Sequence, residues 1–285
     1  MRLAACITTR NRTQGLDACL RALSDSNIKP YTAVVSDDSP EYEVQQKNRE
    51  VVERYPGTIY LTGPRSGVCA NRNHAVNAIP ESKTDLIAFI DDDICVEPDF
   101  IGRAIDRYTQ MPPDQRNCTI LSGVSGNEEG YETVPTKLSF QGYFCPTDTP
   151  QAVSIHAAVF PRSFFEKEQW DENIFFGYED AELCLRALKR GYQILHCPEL
   201  RVLSTVDNKS TLAVAGIAKL TNYEIYVEAA RLYVGIKRYK DIFPAPLKLI
   251  IFIGFYFIHM TAFLLKRGSL NAWPKIIRCS HIQRL

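Results

Sequence analysis

The sequence predicts an α/β fold: a mostly parallel sheet with helices on both faces, followed by an apolar, helical tail. Three observations point there. Short apolar runs alternate with helix-spaced patterns through the first hundred residues. Several of those runs end in polar residues, and charge is divided unevenly along the chain. Strand–helix alternation of this kind buries both faces of a parallel, doubly wound sheet. Ligands of such sheets bind where the carboxyl ends of the strands converge.

The elements follow in order. "LAACITT" (3–9) is a strand ending in Thr8 and Thr9, and 13–26 carries Leu16, Cys19, Leu20 and Leu23 at helical spacing. "TAVVSDDS" (32–39) is a second strand ending in Asp37 and Asp38, followed by a polar helix near 41–55. "GTIYLTG" (57–63) is a third strand. "GVCANRNHAVNAI" (67–79) is a helix whose inner stripe is Val68, Ala75, Val76 and Ile79. "LIAFIDDD" is a fourth strand, running into Asp91, Asp92 and Asp93. A helix after Phe100, a strand near 118–124 and loops with a small mixed sheet fill 104–170. In 170–192, Glu179, Asp180 and Glu182 occupy the first turn of a helix, where the dipole favours anions. Lys189 and Arg190 occupy its last turn, and Gly191 suits the C-cap. "QILHCPELRVLS" (193–204) closes the sheet with a strand or two.

The totals, 33 basic and 33 acidic residues in 285, hide a division. From Arg231 to the end there are ten Lys or Arg and one acid, so the last 55 residues carry +9 and residues 1–230 carry −9. A basic tail on an acidic body points to an anionic partner for the tail. Nine scattered cysteines without a C-x-x-C pair read as reduced core thiols, which suits the cytoplasm. The N-terminal apolar run passes directly into the first strand, and no signal peptide is expected.

Three adjacent carboxylates at the mouth of a buried strand repel one another and call for a counter-cation. The ordinary alternative is a solvated turn or a helix N-cap. Oxygen ligands at this density suit Mg²⁺ or Mn²⁺, which binds through one or two carboxylates plus substrate phosphates. Read alone, these residues indicate an acidic metal–phosphate site. Glu179 and Asp180 have a similar double reading: N-terminal helix acids, or a catalytic carboxylate behind the aromatic run "IFFGY". Arg72 is by default a surface arginine, although a planar guanidinium also suits a nucleotide.

"ITTRNR", "VVSDDS", "GVCANRN", "FIDDD" and "FFGYEDAELCLRALKRGY" stand in order over residues 1–205 and together resemble the successive blocks of family-2 glycosyltransferases. The resemblance implies the GT-A (Rossmann-like) fold, a mixed, mostly parallel sheet flanked by helices. It also implies an inverting transfer from a nucleotide sugar. The triplet then resembles the D-x-D element: Asp93, with Asp91, is expected at the metal, and Asp91 or Asp92 at the ribose and diphosphate. By the same resemblance Thr8, Arg10, Asp37, Asp38 and Arg72 line the nucleotide, and Asp180, beside Glu179, is the general base. The family often has a histidine downstream of the "ED" helix as a further metal ligand. This chain has "VLSTVDN" there, with Ser204 and Thr205 at the expected place.

"LIIFIGFYFIHMTAFLL" (249–265) is a 17-residue apolar run with Lys248 before it and Lys266-Arg267 after it. At ~1.5 Å per residue it is marginal for a ~30 Å bilayer, and crossing would oppose the positive-inside tendency. The expectation is a membrane-associating helical region, 211–285, on the cytoplasmic face. The competitor is burial of the run against the body or a second subunit of a homodimer. Its layout resembles that of bacterial members that extend surface polysaccharides, rhamnosyltransferase-like. Residues 1–210 would form the catalytic domain, with a nucleotide-sugar half (about 1–100) and an acceptor half (about 101–210). A nucleotide-sugar donor and a saccharide or lipid-linked acceptor are the expected partners, and nucleic acid is not. A catalytically silent sugar-nucleotide-binding scaffold is the alternative. A nucleotidyltransferase is disfavoured, because "TTRNRTQG" lacks a Gly-rich loop with a lysine.

Overall fold

The structure, a computed structural model, describes residues 1–80, 83–127, 129–205, 215–217 and 219–285. The first half alternates as the pattern requires: β1 (Leu3–Thr9), α1 (Thr13–Ser24), β2 (Thr32–Asp37), α2 (Tyr42–Glu53), β3 (Thr58–Thr62), α3 (Val68–Asn77) and β4 (Leu86–Asp91). Then come β5 (Ile94–Val96), α4 (Phe100–Gln110), α5 (Pro113–Arg116), β6 (Thr119–Asn127), β7 (Thr136–Leu138), β8 (Phe144–Pro146) and β9 (Ala158–Pro161). The chain ends with α6 (Glu179–Lys189), β10 (Gln193–Ser204), β11 (Ala215–Ile217), β12 (Leu220–Thr221), α7 (Asn222–Lys237), α8 (Pro246–Lys266) and α9 (Trp273–Cys279).

Eight strands form one sheet in the order β3-β2-β1-β4-β9-β6-β10-β5. The sheet is mixed: β9 runs antiparallel to both β4 and β6, and β5 is antiparallel to β10. Strand periodicity divides the core in two. Leu3, Ala5, Ile7, Leu86, Ala88 and Ile90 pack with α1 and α4, whereas Ala4, Cys6, Ile87 and Phe89 pack with α3 and α6. Burial on both faces explains why these strands are continuously apolar rather than alternating.

The chain lays β2 and β3 to one side of β1 and then places β4 on the other. That reversal opens a crevice beyond the strand ends. Register fixes what meets there: Thr8 stands opposite Asp91, and Thr9 opposite Asp37. The run expected as one strand through Asp93 instead stops at Asp91. Asp92 and Asp93 make a turn, and β5 then leaves to pair with β10. β10 is a single strand whose register to β6 shifts between His196 and Arg201. Pro198 falls inside that shift and cannot donate to a ladder.

The C-terminal helices pack onto the body. α7 gives Ala230, Tyr233 and Val234 to the α3–α6 side of the core, and Ile225, Ala229 and Leu232 to a third cluster with α8 and α9. The boundary expected at 210–211 lies outside the described residues, as do Val206, Asp207 and Asn208 of "VLSTVDN".

Gly123, inside β6, tests the sheet. A Cβ there would lie 2.1 Å from the Leu200 carbonyl oxygen and 2.9 Å from that of Ala157. Backbone on both sides leaves no room to give. Gly123→Ala is expected to destabilise by ~1–3 kcal/mol, read as a lowered urea midpoint at unchanged slope. An unchanged midpoint would refute the β6–β10 packing.

Candidate active site

A cavity of about 390 Å³ opens at the crevice, a size suited to a small ligand. Thr8, Arg10, Asp38, Arg72, Asp91, Asp92, Asp93 and Glu179 all line it, so eight of the ten expected site residues converge. Asp37 and Asp180 are not among the lining residues.

Asp37 lies behind the cavity wall, and Asp180 lies beside the lining residue Glu179. Asp37 is fully buried. It accepts from Ser39 N at 2.8 Å, Asn48 Nδ2 at 2.8 Å and Tyr60 Oη at 2.9 Å, so its oxygens hold the β2 turn. Asp38 is the member of the pair at the cavity. It accepts from Arg65 N at 2.8 Å, and burial still pushes its carboxyl up. Asp180 is half-buried on the first turn of α6 and accepts from Ala181 N at 2.7 Å. Burial and the neighbouring Glu179 charge push its carboxyl up to about 7.

The three aspartates at the β4–β5 turn differ in surroundings. Asp92 is buried and accepts from Thr9 Oγ1 at 2.7 Å and Arg12 Nη1 at 3.0 Å; burial pushes it up to about 7. The same Arg12 nitrogen reaches Asp93 at 2.5 Å. Burial and the Asp91 charge raise Asp93, with Arg12 opposing. Asp91 is also penalised by burial, but the Arg72 guanidinium and His156 outweigh that and hold it well below the usual carboxylate range.

Arg72 is not the surface residue its type suggests; it is 3% exposed. Its Nη2 donates to Asp91 at 3.2 Å and its Nη1 to Glu179 at 3.0 Å, and the guanidinium lies 4.9 Å over the Trp170 ring. One cation thus joins the β4 end to the start of α6. Glu179 Oε2 and Asn71 Oδ1 are buried at the cavity and have no hydrogen-bond partner among the described residues. Buried acceptors in that state suit a ligand with hydroxyl or N–H donors.

Asp91 and Asp93 both line the cavity, and Mg²⁺ typically needs one or two carboxylates completed by phosphate oxygens. No group of three potential metal-ligating side chains occurs among the described residues. Thr205, where the histidine was sought, donates from N and Oγ1 to the Asp93 carbonyl at 2.9 and 3.1 Å. His156 Nδ1 stands 3.8 Å from Asp91 Oδ2. Arg12 was not expected at the cavity, although the second arginine of "TTRNR" was a usable signal; His156 reads from sequence as a core or loop histidine, and nothing local marks its approach to Asp91.

Residues 171–178 form the remaining wall, with Phe175 and Phe176 at the cavity. The C-terminal helices hold this loop from outside. Phe175 stacks on Tyr226 at 4.4 Å, and Asp171 accepts from Tyr233 Oη at 2.7 Å and Lys237 Nζ at 2.5 Å.

A glycosyl transferase family 2 model matches residues 4–168. The dTDP-rhamnosyl transferase RfbF of Shigella flexneri is 22% identical over 240 residues, 81% of this chain and 76% of that protein. Among solved structures, S. aureus TarS matches with a TM-score of 0.54 at 16% identity, over 83% of this chain but only 40% of that one. TarS 1–349 in complex with UDP-GlcNAc gives 0.60 at 15% identity, covering 98% and 79%. GalNAc-T7 with UDP, GalNAc and Mn²⁺ gives 0.60 at 14% identity, covering 94% and 58%. At these identities the structures show a shared GT-A fold.

The Arg72 pairing predicts a coupling. Arg72→Met leaves two acids facing each other without their cation and is expected to destabilise by ~3–5 kcal/mol. Adding Glu179→Gln should recover part of that loss, a coupling of ~0.5–3 kcal/mol in a double-mutant cycle read by denaturant unfolding. Strict additivity would show that the bridge carries no energy.

Proposed function

The chain belongs to glycosyl transferase family 2, and on that premise we propose that it moves a sugar from a nucleotide-sugar donor to a hydroxyl of a saccharide or lipid-linked acceptor. The observation that carries this is the meeting of two carboxylate groups in one cavity. Asp91 arrives from β4 and Glu179 from α6, joined through Arg72.

The proposed division of labour follows position. Thr8, Arg10, Asp38 and Arg72, with Asp91 or Asp92, face the nucleotide and diphosphate. Both are engaged, but the Asp92 side chain is only 6% exposed against 28% for Asp91, which favours Asp91 for direct contact. Four arginines (Arg10, Arg12, Arg65, Arg72) line the cavity against five acids (Asp38, Asp91, Asp92, Asp93, Glu179). An entering diphosphate therefore needs more positive charge than the protein supplies. Mg²⁺ or Mn²⁺ held by Asp93 and Asp91 would supply it and offset charge on the departing diphosphate.

Asp180 does not itself line the cavity, but it follows the lining Glu179 on the first turn of α6 and is half-buried, and it is assigned as the general base. The acceptor oxygen attacks the anomeric carbon, its proton passes to the Asp180 carboxylate, and the bond from that carbon to the diphosphate oxygen breaks. One displacement with a single base inverts the sugar carbon. A carboxyl near pH 7 is matched to taking a proton at neutral pH. Glu179 keeps its neighbour's affinity for a proton high. Residues 1–210 would carry the chemistry, with the donor half at 1–100 and the acceptor half at 101–210. Residues 211–285 would attach the enzyme to the inner face of the cell membrane, where surface polysaccharide is assembled.

The test is nucleotide release from a panel of UDP and dTDP sugars, with and without Mn²⁺. Turnover with at least one donor, lost on chelation and restored by Mn²⁺, is expected; no release from any donor would overturn the proposal. Asp180→Asn should reduce transfer by ~10²–10⁴-fold with nucleotide affinity retained. Because the base acts deprotonated, wild-type kcat/KM should rise with pH through about 7 and then level. A profile flat from pH 5 to 9 would remove Asp180 from that role.

A further inference from the structure

Twenty large apolar side chains are exposed among the described residues, and nine of them fall between Phe243 and Leu270. That concentration exceeds what scattered surface hydrophobics explain. α8 accounts for most of it and has two unlike faces. Phe252, Tyr256, Met260 and Leu264, four residues apart, are buried against α7 and α9. Leu247 and Ile258 (each 72% exposed), Ile250 (68%), Leu265 (59%) and Phe255 (52%) point away from the protein.

The inner face is tied down by polar as well as apolar contacts. Tyr256 Oη donates to the Glu228 carbonyl at 2.8 Å. The Arg231 guanidinium lies between the Tyr143 and Tyr256 rings, at 4.3 and 4.5 Å. Gly235 admits Phe252 so closely that a Cβ there would lie 2.0 Å from its ring. Crossing a bilayer would carry α7, with Glu228, Arg231 and Lys237, into hydrocarbon, at high cost. Although α8 is long and apolar enough to span and only 22% of its apolar window is buried, its inner face is packed against α7 and α9 along four successive turns.

We propose that α8 is an in-plane membrane helix, docking its outer face into the interfacial layer of an anionic leaflet. Charge selects this occupant. Lys248 and Lys266 are exposed at the two ends, ~27 Å apart, and have no acidic partner among the described residues. α8 carries no acid, and the last 55 residues carry +9. Two copies meeting face to face would bring those cations together, whereas anionic headgroups beside an apolar layer satisfy both features. The docking rests on the membrane attachment proposed above for 211–285 but not on the transfer reaction, so docking and transfer can each fail without the other.

The test uses the full chain and preformed vesicles, either phosphatidylcholine alone or phosphatidylcholine with equal phosphatidylglycerol, read by co-sedimentation. The wild type should sediment with the anionic vesicles and be released by alkaline carbonate. Ile250→Glu with Ile258→Glu should lower partitioning by more than ~10-fold, and Lys248→Glu with Lys266→Glu should remove the preference for phosphatidylglycerol. Unchanged circular dichroism and thermal midpoints would show that the variants fold. Three outcomes overturn the proposal: no binding to anionic vesicles, retention through carbonate, or a lipid-free dimer that the Ile250/Ile258 pair dissolves.

Discussion

Everything at the cavity depends on one buried guanidinium. Arg72 is removed from water and shared by Asp91 and Glu179, side chains separated by 88 positions in sequence. Two carboxylates against one cation is not a neutral arrangement, and desolvation offsets much of the attraction. Its consequence is geometric. The end of β4 and the start of α6 cannot drift apart without leaving a charge unpaired in a poorly hydrated place. The Trp170 face beneath the guanidinium removes a third direction of movement. The proposed metal side and base side of the site are thus set relative to each other by side chains, while the sheet sets only where each begins.

How much of this was legible in the sequence follows from range. β1 to β4 and their helices were readable because each buries a face with its own period, 2 or 3.6, in a local window. The convergence of Thr8, Asp38 and Asp91–Asp93 was readable because strand ends of a doubly wound sheet share an edge. The antiparallel insertion of β9 was not, since four apolar residues pair alike in either direction. Arg72 was expected at the nucleotide by resemblance, but its burial between two acids was not legible, because nothing within one turn of α3 announces carboxylates contributed from β4 and α6. Asp37 and Asp38 look equivalent in sequence. They separate only once Asn48 and Tyr60 arrive from α2 and β3 to engage the first and leave the second at the cavity.

Backbone strain is concentrated at the same place. Among the described residues, four non-glycine positions have positive φ: Asn11, Arg65, Tyr178 and His281. The first three flank the cavity, in the loops after β1 and β3 and at the N-cap of α6. Such conformations persist where surroundings over-determine them. Asn11 N donates to Ser39 Oγ, Arg65 N to Asp38, and the Tyr178 ring stacks on Phe144 at 4.9 Å. Each of these three is thus held by a contact from outside its own loop: Asn11 and Arg65 by the turn after β2, and Tyr178 by β8.

The Phe144 contact also ties the start of α6 to the tail. Tyr143, the residue before it, reaches α8 through His259 at 3.2 Å and shares the Arg231 guanidinium with Tyr256. On its other side the tail grips the loop 171–178 at the cavity: Tyr226 stacks on Phe175, and Arg284 donates to Asn173 Oδ1 at 2.8 Å. The C-terminal helices therefore act as a brace around 171–178 in addition to carrying the proposed docking face. Truncating them would expose the Phe175 and Tyr233 contacts and loosen the cavity wall, so lost activity in a truncated chain would say nothing about membranes. Substitutions confined to the outward face of α8 separate the two roles, because those side chains contribute little to the brace.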